Sequence, residues 1–134
     1  SLYSKTELAE TATLDKNASP KGAIQETVSV RTLDSIAKEY SIKTIDFVKI
    51  DTEGFEDAVL VGMKNILASH PPKFIQLEFN KMQLKRGYTF YDLAKLLPNY
   101  EFLRLLSHGW TRIDPESFLA NVFIFNNIVA KRKN

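Results

Sequence analysis

The sequence predicts an α/β fold built on a parallel sheet. Its 134 residues are 44% hydrophobic and 25% charged, the composition of one ordinary globular domain. Apolar runs typical of buried strands alternate with segments of helical period, and the order strand, helix, strand indicates a right-handed crossover. The absence of cysteine excludes a disulfide framework, a thiolate metal site and a cysteine nucleophile. We therefore expect a single domain, 1–134, with one core.

Charge and hydropathy narrow the possible partners. Lys and Arg number 18 and Asp and Glu 16, so the net charge of +2 does not indicate nucleic acid binding. No apolar stretch approaches the roughly 18 residues of a membrane span. The first ten residues have neither the basic start nor the apolar centre of a signal peptide. We expect a soluble, cytoplasmic protein with no membrane partner.

The beginning of the chain, residues 1–24, is predicted to be a loop or fragment edge. It is rich in Ser, Thr, Ala and Lys and contains a Ser-Pro-Lys-Gly cluster that breaks regular elements. The α/β core is expected over 25–130. It starts with a short strand in the alternating segment Gln25–Arg31. Thr32 is then typical of a helix cap, and its helix is expected to end near Tyr40.

A strand, a helix and a second strand follow. Ile45–Ile50 is almost continuously apolar, as in a strand buried on both faces of a parallel sheet. From Phe55 to Leu67, apolar residues recur three or four apart, which predicts a helix. Phe74–Phe79 is the second strand. Because a crossover joins them, we predict that the two strands run parallel.

The second half of the chain predicts one more helix and two more strands. The helix is expected within 89–98, between a capping threonine and a proline. The strands are expected at 102–106 and 122–125, with 108–110 in the connection. The basic run 131–133 is interpreted as a frayed, solvated tail.

The glycines argue against a nucleotide-binding turn. They lie at positions 22, 54, 62, 87 and 109, so no GxG sequence exists. Without closely spaced glycines the backbone cannot form the usual phosphate-binding turns. This disfavours a P-loop NTPase, a protein kinase and a self-sufficient Rossmann dehydrogenase.

Carboxylates cluster where the first core strand meets its helix, at Asp51, Glu53, Glu56 and Asp57. Ligands of open parallel sheets bind outside the carboxyl ends of the strands, and Asp51 stands at such an end. Gly54 permits a positive φ or a close approach of a ligand to the backbone. Glu56 and Asp57 are interpreted as first-turn residues that complement the helix dipole.

Glu78 stands near the end of the second strand in an apolar context. If the two strands are neighbours, about 4.8 Å apart, Asp51 and Glu78 reach the same edge of the sheet. Paired carboxylates there could orient a hydroxyl, take its proton, hold magnesium or attract a cationic cofactor. The alternative is that Glu78 is bonded to nearby backbone amides. His108 is a candidate base or substrate contact, with a structural role as its alternative.

Three segments together resemble the FkbM family of S-adenosylmethionine-dependent methyltransferases. They are TLDSIA (Thr32–Ala37), DFVKIDTEGFEDAVLVGM (Asp46–Met63) and QLEF (Gln76–Phe79), and their order and spacing agree with the family. Thr52 replaces the usual valine. The stretch ending in NVFIF (Asn121–Phe125) is similar to the looser C-terminal portion of the family.

The resemblance implies the C-terminal half of a Rossmann-like class I methyltransferase sheet, a βαβ unit plus antiparallel edge strands without the N-terminal cofactor-binding strands. The cofactor would be S-adenosylmethionine, bound mainly by residues upstream of Ser1, so the chain alone is expected to be inactive. The reaction would be O-methylation of a hydroxyl on a sugar or secondary metabolite. Because a half-sheet leaves an edge uncovered, self-association is also expected.

The resemblance also places Asp51 and Glu53 beside the acceptor and Glu78 at the adjoining strand end. We assign catalysis to Asp51 and Glu53, with His108 in reserve, and acceptor binding to Glu78 and Gly54. Two alternatives stay open: a non-catalytic module that binds a sugar or a protein, and a magnesium-dependent hydrolase or phosphotransferase that uses the same carboxylates.

Overall fold

The chain divides into two compact units, Ser1–Arg31 and Thr32–Asn134. The computed structural model describes residues 2–4, 12–13, 24–122 and 126–134.

The described residues of the first unit include three short antiparallel strands in the order β2-β1-β3. They are β1 (Leu2–Ser4), β2 (Ala12–Thr13) and β3 (Ile24–Glu26). The sequence predicted a loop over 1–24, where the structure instead has β1 and β2. Strands of two or three residues are too short to show an alternating side-chain pattern, which explains the difference. β3 is also shorter than the strand predicted over Gln25–Arg31.

The second unit contains a five-stranded sheet in the order β4-β5-β8-β6-β7. Its strands are β4 (Phe47–Ile50), β5 (Phe74–Phe79), β6 (Tyr100–Leu106), β7 (Gly109–Ile113) and β8 (Asn126–Arg132). β4 and β5 are parallel, as predicted, and every other pair is antiparallel. The α/β class is confirmed.

Among the described residues, five short α-helices accompany this sheet. They are α1 (Leu33–Glu39), α2 (Glu56–Val61), α3 (Lys64–Ser69), α4 (Lys81–Arg86) and α5 (Phe90–Lys95), and a 3₁₀ helix covers Phe118–Asn121. The predicted caps of α1 and α5 are confirmed, because the hydroxyl of Thr32 accepts from Ser35 N and that of Thr89 accepts from Asp92 N. α4 was not predicted.

The single helix predicted from Phe55 to Leu67 is two helices. Asp34 of α1 explains the break: its carboxylate oxygens accept from the backbone N–H groups of Asn65 and Ile66, each at 3.0 Å. These are donors that a new helix start leaves without an intrahelical partner. The backbone N–H of Asp34 in turn donates to Gly62 O at 3.1 Å. A contact from 31 residues away therefore caps α3.

The last two strands differ from the prediction. Gly109 and Trp110, predicted in a connection, begin β7. β8 covers Asn126–Arg132, after the strand predicted at 122–125, of which 123–125 lie outside the described residues. Lys131 is therefore part of a strand rather than a frayed tail. Its side chain pairs with Glu101 at 3.1 Å across the sheet, which anchors this basic segment.

One face of the sheet, the covered face, carries the core. Side chains of alternate strand residues meet α2 and α5 there, and Phe90 of α5 packs edge-on against Phe79 and Phe102 at centroid distances of 5.6 and 5.2 Å. The intervening side chains form the open face. β4 was predicted to be buried on both faces, but among the described strands it is an edge strand, and Phe47 is 52% exposed.

No described helix combines the length and the hydropathy that crossing a bilayer requires.

Candidate functional site

Two carboxylates meet at the carboxyl ends of β4 and β5. The strands are direct neighbours, with Ile50 opposite Leu77, so the next pair in register is Asp51 and Glu78. Their side chains are hydrogen-bonded to each other. The condition stated from the sequence, that the strands be adjacent, is confirmed.

Each carboxylate of this pair has a further polar partner. Asp51 Oδ2 lies 2.8 Å from Lys49 Nζ, an exposed ion pair. Glu78 Oε1 accepts from the side-chain amide of Asn80 at 2.7 Å. Asn80 also caps α4 by accepting from Met82 N, so the start of that helix fixes the amide beside Glu78.

Burial separates the pKa values of the two carboxyls. Glu78 is only 7% exposed, and burial, with the hydrogen bond to Asp51 as the next cause, raises its pKa to about 7. The hydrogen bond with Glu78 and the one from Lys49 lower the pKa of Asp51. Below about pH 7 the pair therefore shares one proton, which lies on Glu78 and is directed at ionised Asp51, and above this pH Glu78 loses it.

The turn after β4 has left-handed backbone geometry. Glu53 has φ 52° and Gly54 has φ 101°, so the predicted positive φ of the glycine is confirmed. A Cβ on Gly54 would lie 3.0 Å from the Cβ of Met82. The close approach that this glycine permits is therefore to α4.

A fully buried glutamate, Glu56, holds this turn in place. Its Oε1 accepts from Thr52 N and Thr52 Oγ1, each at 3.0 Å, and from Gly54 N at 3.3 Å. Its Oε2 accepts from Gln83 Nε2 at 2.6 Å and lies 3.1 Å from the hydroxyl of Tyr88. The sequence interpretation of Glu56 as a structural residue is right, but its partners are side chains and turn amides in addition to the helix dipole.

Arg86, at the end of α4, also stabilises the turn after β4. Its Nη1 donates to Gly54 O at 2.6 Å and to Asp57 Oδ1 at 3.0 Å, and its guanidinium carbon lies 4.0 Å from the centroid of the Phe55 ring. Tyr88 also donates to Gly54 O, at 2.7 Å. Burial raises the pKa of Tyr88, so its hydroxyl stays protonated as a donor.

Sequence reasoning did not connect Gln83, Arg86 or Tyr88 with this turn. Gln83 had a usable signal, because Asn80 and Gln83 have the spacing of a capping box, which the structure contains. Arg86 and Tyr88 had no such signal in the sequence, because they contact Gly54 from more than 30 residues away.

His108 lies at the same edge of the sheet but apart from the carboxylate pair. It follows β6 in an exposed turn, where Nδ1 is 3.1 Å from Ser107 Oγ. Because β8 separates β5 from β6, two strand spacings, about 10 Å, lie between their ends. The structure does not bring His108 to Asp51 and Glu78.

The described residues contain no group of three or more His, Asp or Glu side chains arranged to hold a metal ion.

Comparison with known proteins identifies a methyltransferase domain. A family model described as the methyltransferase FkbM domain matches residues 2–104. The chain belongs to the FkbM methyltransferase family. The match begins near the start of the chain and ends within β6, so the similarity expected at Asn121–Phe125 lies outside it. No curated protein matches the chain, and neither does a solved structure.

Proposed function

We propose that the protein acts in S-adenosylmethionine-dependent O-methylation, with a Rossmann-like class I sheet, and that Asp51 and Glu78 receive the acceptor hydroxyl. One observation carries the proposal: in a member of this family, two hydrogen-bonded carboxylates meet at the carboxyl ends of adjacent parallel strands. That edge is where open α/β sheets bind their ligands.

The acidic edge fits the methyl donor by charge. When bound, the donor supplies a methyl group on a positively charged sulfur, which Asp51, Glu53 and Glu78 would attract. Gly54 offers no cradle for it, because the Met82 side chain occupies the adjoining space. That most donor contacts come from outside these residues, and that the 134-residue chain alone is inactive, stay predictions.

The pKa values favour a division of roles between the two carboxylates. Asp51 stays ionised, because its pKa is lowered, and suits the task of orienting the acceptor hydroxyl. Glu78, with a pKa of about 7, suits the general base, since a base works best when its pKa lies near the working pH. The charge of Glu53 contributes to raising the pKa of Glu78, so Glu53 tunes the base.

The proposed step is an in-line displacement. The acceptor oxygen forms a bond to the methyl carbon as the carbon–sulfur bond breaks, and the hydroxyl proton passes to the carboxylate of Glu78. Asp51 accepts a hydrogen bond from the hydroxyl and aligns its lone pair. Misalignment alone is enough to slow such a reaction about 100-fold.

The test compares two aspartates at opposite ends of β4. Asp51→Asn is expected to reduce transfer by about 100-fold or more while leaving donor affinity largely intact, since most donor contacts are expected from outside these residues. Asp46→Asn is the matched control, because Asp46 is also exposed and paired with a lysine, Lys73, at 2.8 Å. The assay measures labelled methyl transfer from S-adenosylmethionine to a panel of hydroxylated sugars and polyketides, using the full-length protein. Wild-type turnover by Asp51→Asn would reject the proposal.

Two broader expectations stay predictions. Binding of the donor should raise the melting temperature of the full-length protein, as ligands of the folded state do, whereas a non-catalytic module would show no such shift. The protein is also expected to self-associate through the edge of the sheet at β4, which sedimentation would detect as an oligomer.

A further inference from the structure

Five side-chain positions form a row across the open face of the sheet, one from the end of each strand. Strand registers place them side by side in the order Asp51, Glu78, Asn127, Leu105 and Trp110. At about 4.8 Å per strand, the row spans about 19 Å, and about 14 Å of it separates Glu78 from Trp110. The candidate site therefore continues along this face.

The row changes from polar to apolar along its length. On the polar side, Gln76 donates to Asn127 Oδ1 at 3.0 Å, which extends the carboxylate pair with amides. On the other side, Leu105 is 40% exposed and Trp110 is 58% exposed. Leu103 and Val129, half-buried in the next row, complete what we call the apolar patch: Leu103, Leu105, Trp110 and Val129.

The apolar patch lies outside the core. The apolar helix side chains of the core, such as Phe90, meet the covered face, whereas strand alternation directs the patch to the open face. Contiguous exposed apolar surface beside polar groups is typical of a binding site, while scattered exposed leucines are not.

We propose that the apolar patch binds the apolar body of the methyl acceptor, so that the acceptor is amphipathic. This inference rests on the proposed function, since the reacting hydroxyl would lie at Asp51 and Glu78. A wholly polar oligosaccharide would leave the patch exposed to water, and a wholly apolar molecule would desolvate the carboxylates without compensation. A polar head joined to an apolar chain or ring system of about 14 Å matches both halves of the row.

Trp110 provides a direct reading of binding, because it is the single tryptophan of the sequence. Methyl and octyl β-D-glucopyranoside have the same head and differ in the apolar part. Titrated without methyl donor and below the critical micelle concentration, the octyl compound should shift the Trp110 emission to shorter wavelength and saturate. The methyl compound should leave the emission unchanged.

A matched pair of variants locates the contact. Leu105→Ser is expected to weaken octyl glucoside binding about tenfold, the effect of losing one well-buried aliphatic contact. Leu106→Ser should have no effect, because Leu106 is 52% exposed but directed to the opposite face. Since both side chains are exposed, both variants should fold, which circular dichroism checks.

Several outcomes would overturn the inference: an equal response to methyl glucoside, no response to the octyl compound, or equal weakening by both variants. A shift caused by phosphatidylcholine vesicles but not by octyl glucoside would identify a membrane surface as the occupant instead. The predicted Trp110 response, combined with wild-type transfer by Asp51→Asn, would reject the proposed function and keep the apolar patch as a ligand site.

Discussion

Replacing Glu78 with glutamine tests the electrostatics of the carboxylate pair without any substrate. The pKa of this carboxyl is raised from 4.5 to about 7 in the folded protein. Between these values the folded state binds more protons than the unfolded state, so the free energy of unfolding falls as the pH rises. Below pH 4.5 the carboxyl is protonated in both states and contributes nothing. Above pH 7 the carboxyl is ionised in both states, and the full loss of unfolding free energy caused by its raised pKa is present.

The size of this cost follows from the two pKa values. One pKa unit corresponds to about 1.4 kcal/mol, so the wild-type protein should lose about 3 kcal/mol between pH 4.5 and pH 7 through Glu78. Asp51 does not mask the effect, because its lowered pKa lies below this window. In the variant, the glutamine amide can donate to Asp51 and its oxygen can accept from Asn80, so the two hydrogen bonds are kept.

The assay is urea unfolding of both proteins at several pH values between 4.5 and 8. The difference between them removes the contributions of all other titrating groups. Glu78→Gln should become more stable relative to the wild type as the pH rises, approaching a gain of about 3 kcal/mol above pH 7. A difference that stays constant across this range would refute the assignment of a raised pKa to Glu78.

Three further predictions concern the turn and the reaction. Glu56→Ala should lower the free energy of unfolding by about 3 kcal/mol, because it leaves buried donors without an acceptor; a loss below about 0.5 kcal/mol in urea unfolding would contradict this. Gly54→Ala should destabilise by about 1–3 kcal/mol more than Gly109→Ala, since both have positive φ (101° and 105°) but only Gly54 has a neighbour, Met82, at 3.0 Å. Methyl transfer should rise with pH through about 7, as Glu78 loses its proton, and a flat pH profile would remove Glu78 as the base.

The sequence was sufficient for features that depend on local pattern. Asp51 and Glu78 could be placed at strand ends because each follows an apolar run, and a crossover makes such strands parallel. The caps Thr32 and Thr89 could be found because capping uses donors two or three residues away.

Features that depend on distant contacts could not be predicted. Asp34 divides a continuous helical pattern by capping α3, and Gln83 and Tyr88 reach Glu56 from 27 and 32 residues away. The position of β8 was obscured as well, because its basic end looks like a solvated tail. The spacing of apolar residues indicates which side of a helix or strand is buried. It does not indicate which other part of the chain packs against that side.

The central position of β8 has a consequence for biosynthesis. β8 lies between β5 and β6 and pairs with both, so this sheet is not joined until the segment Asn126–Arg132 has been made and inserted between them. A ribosome that has released only the family-matched region, residues 2–104, has produced the β4–β5 ladder and most of β6, but not the strand that lies between β5 and β6. Strand pairing that waits for a distant segment is slow. Until it is complete, the unpaired strands can aggregate. We therefore expect the growing chain to depend on chaperones until β8 emerges.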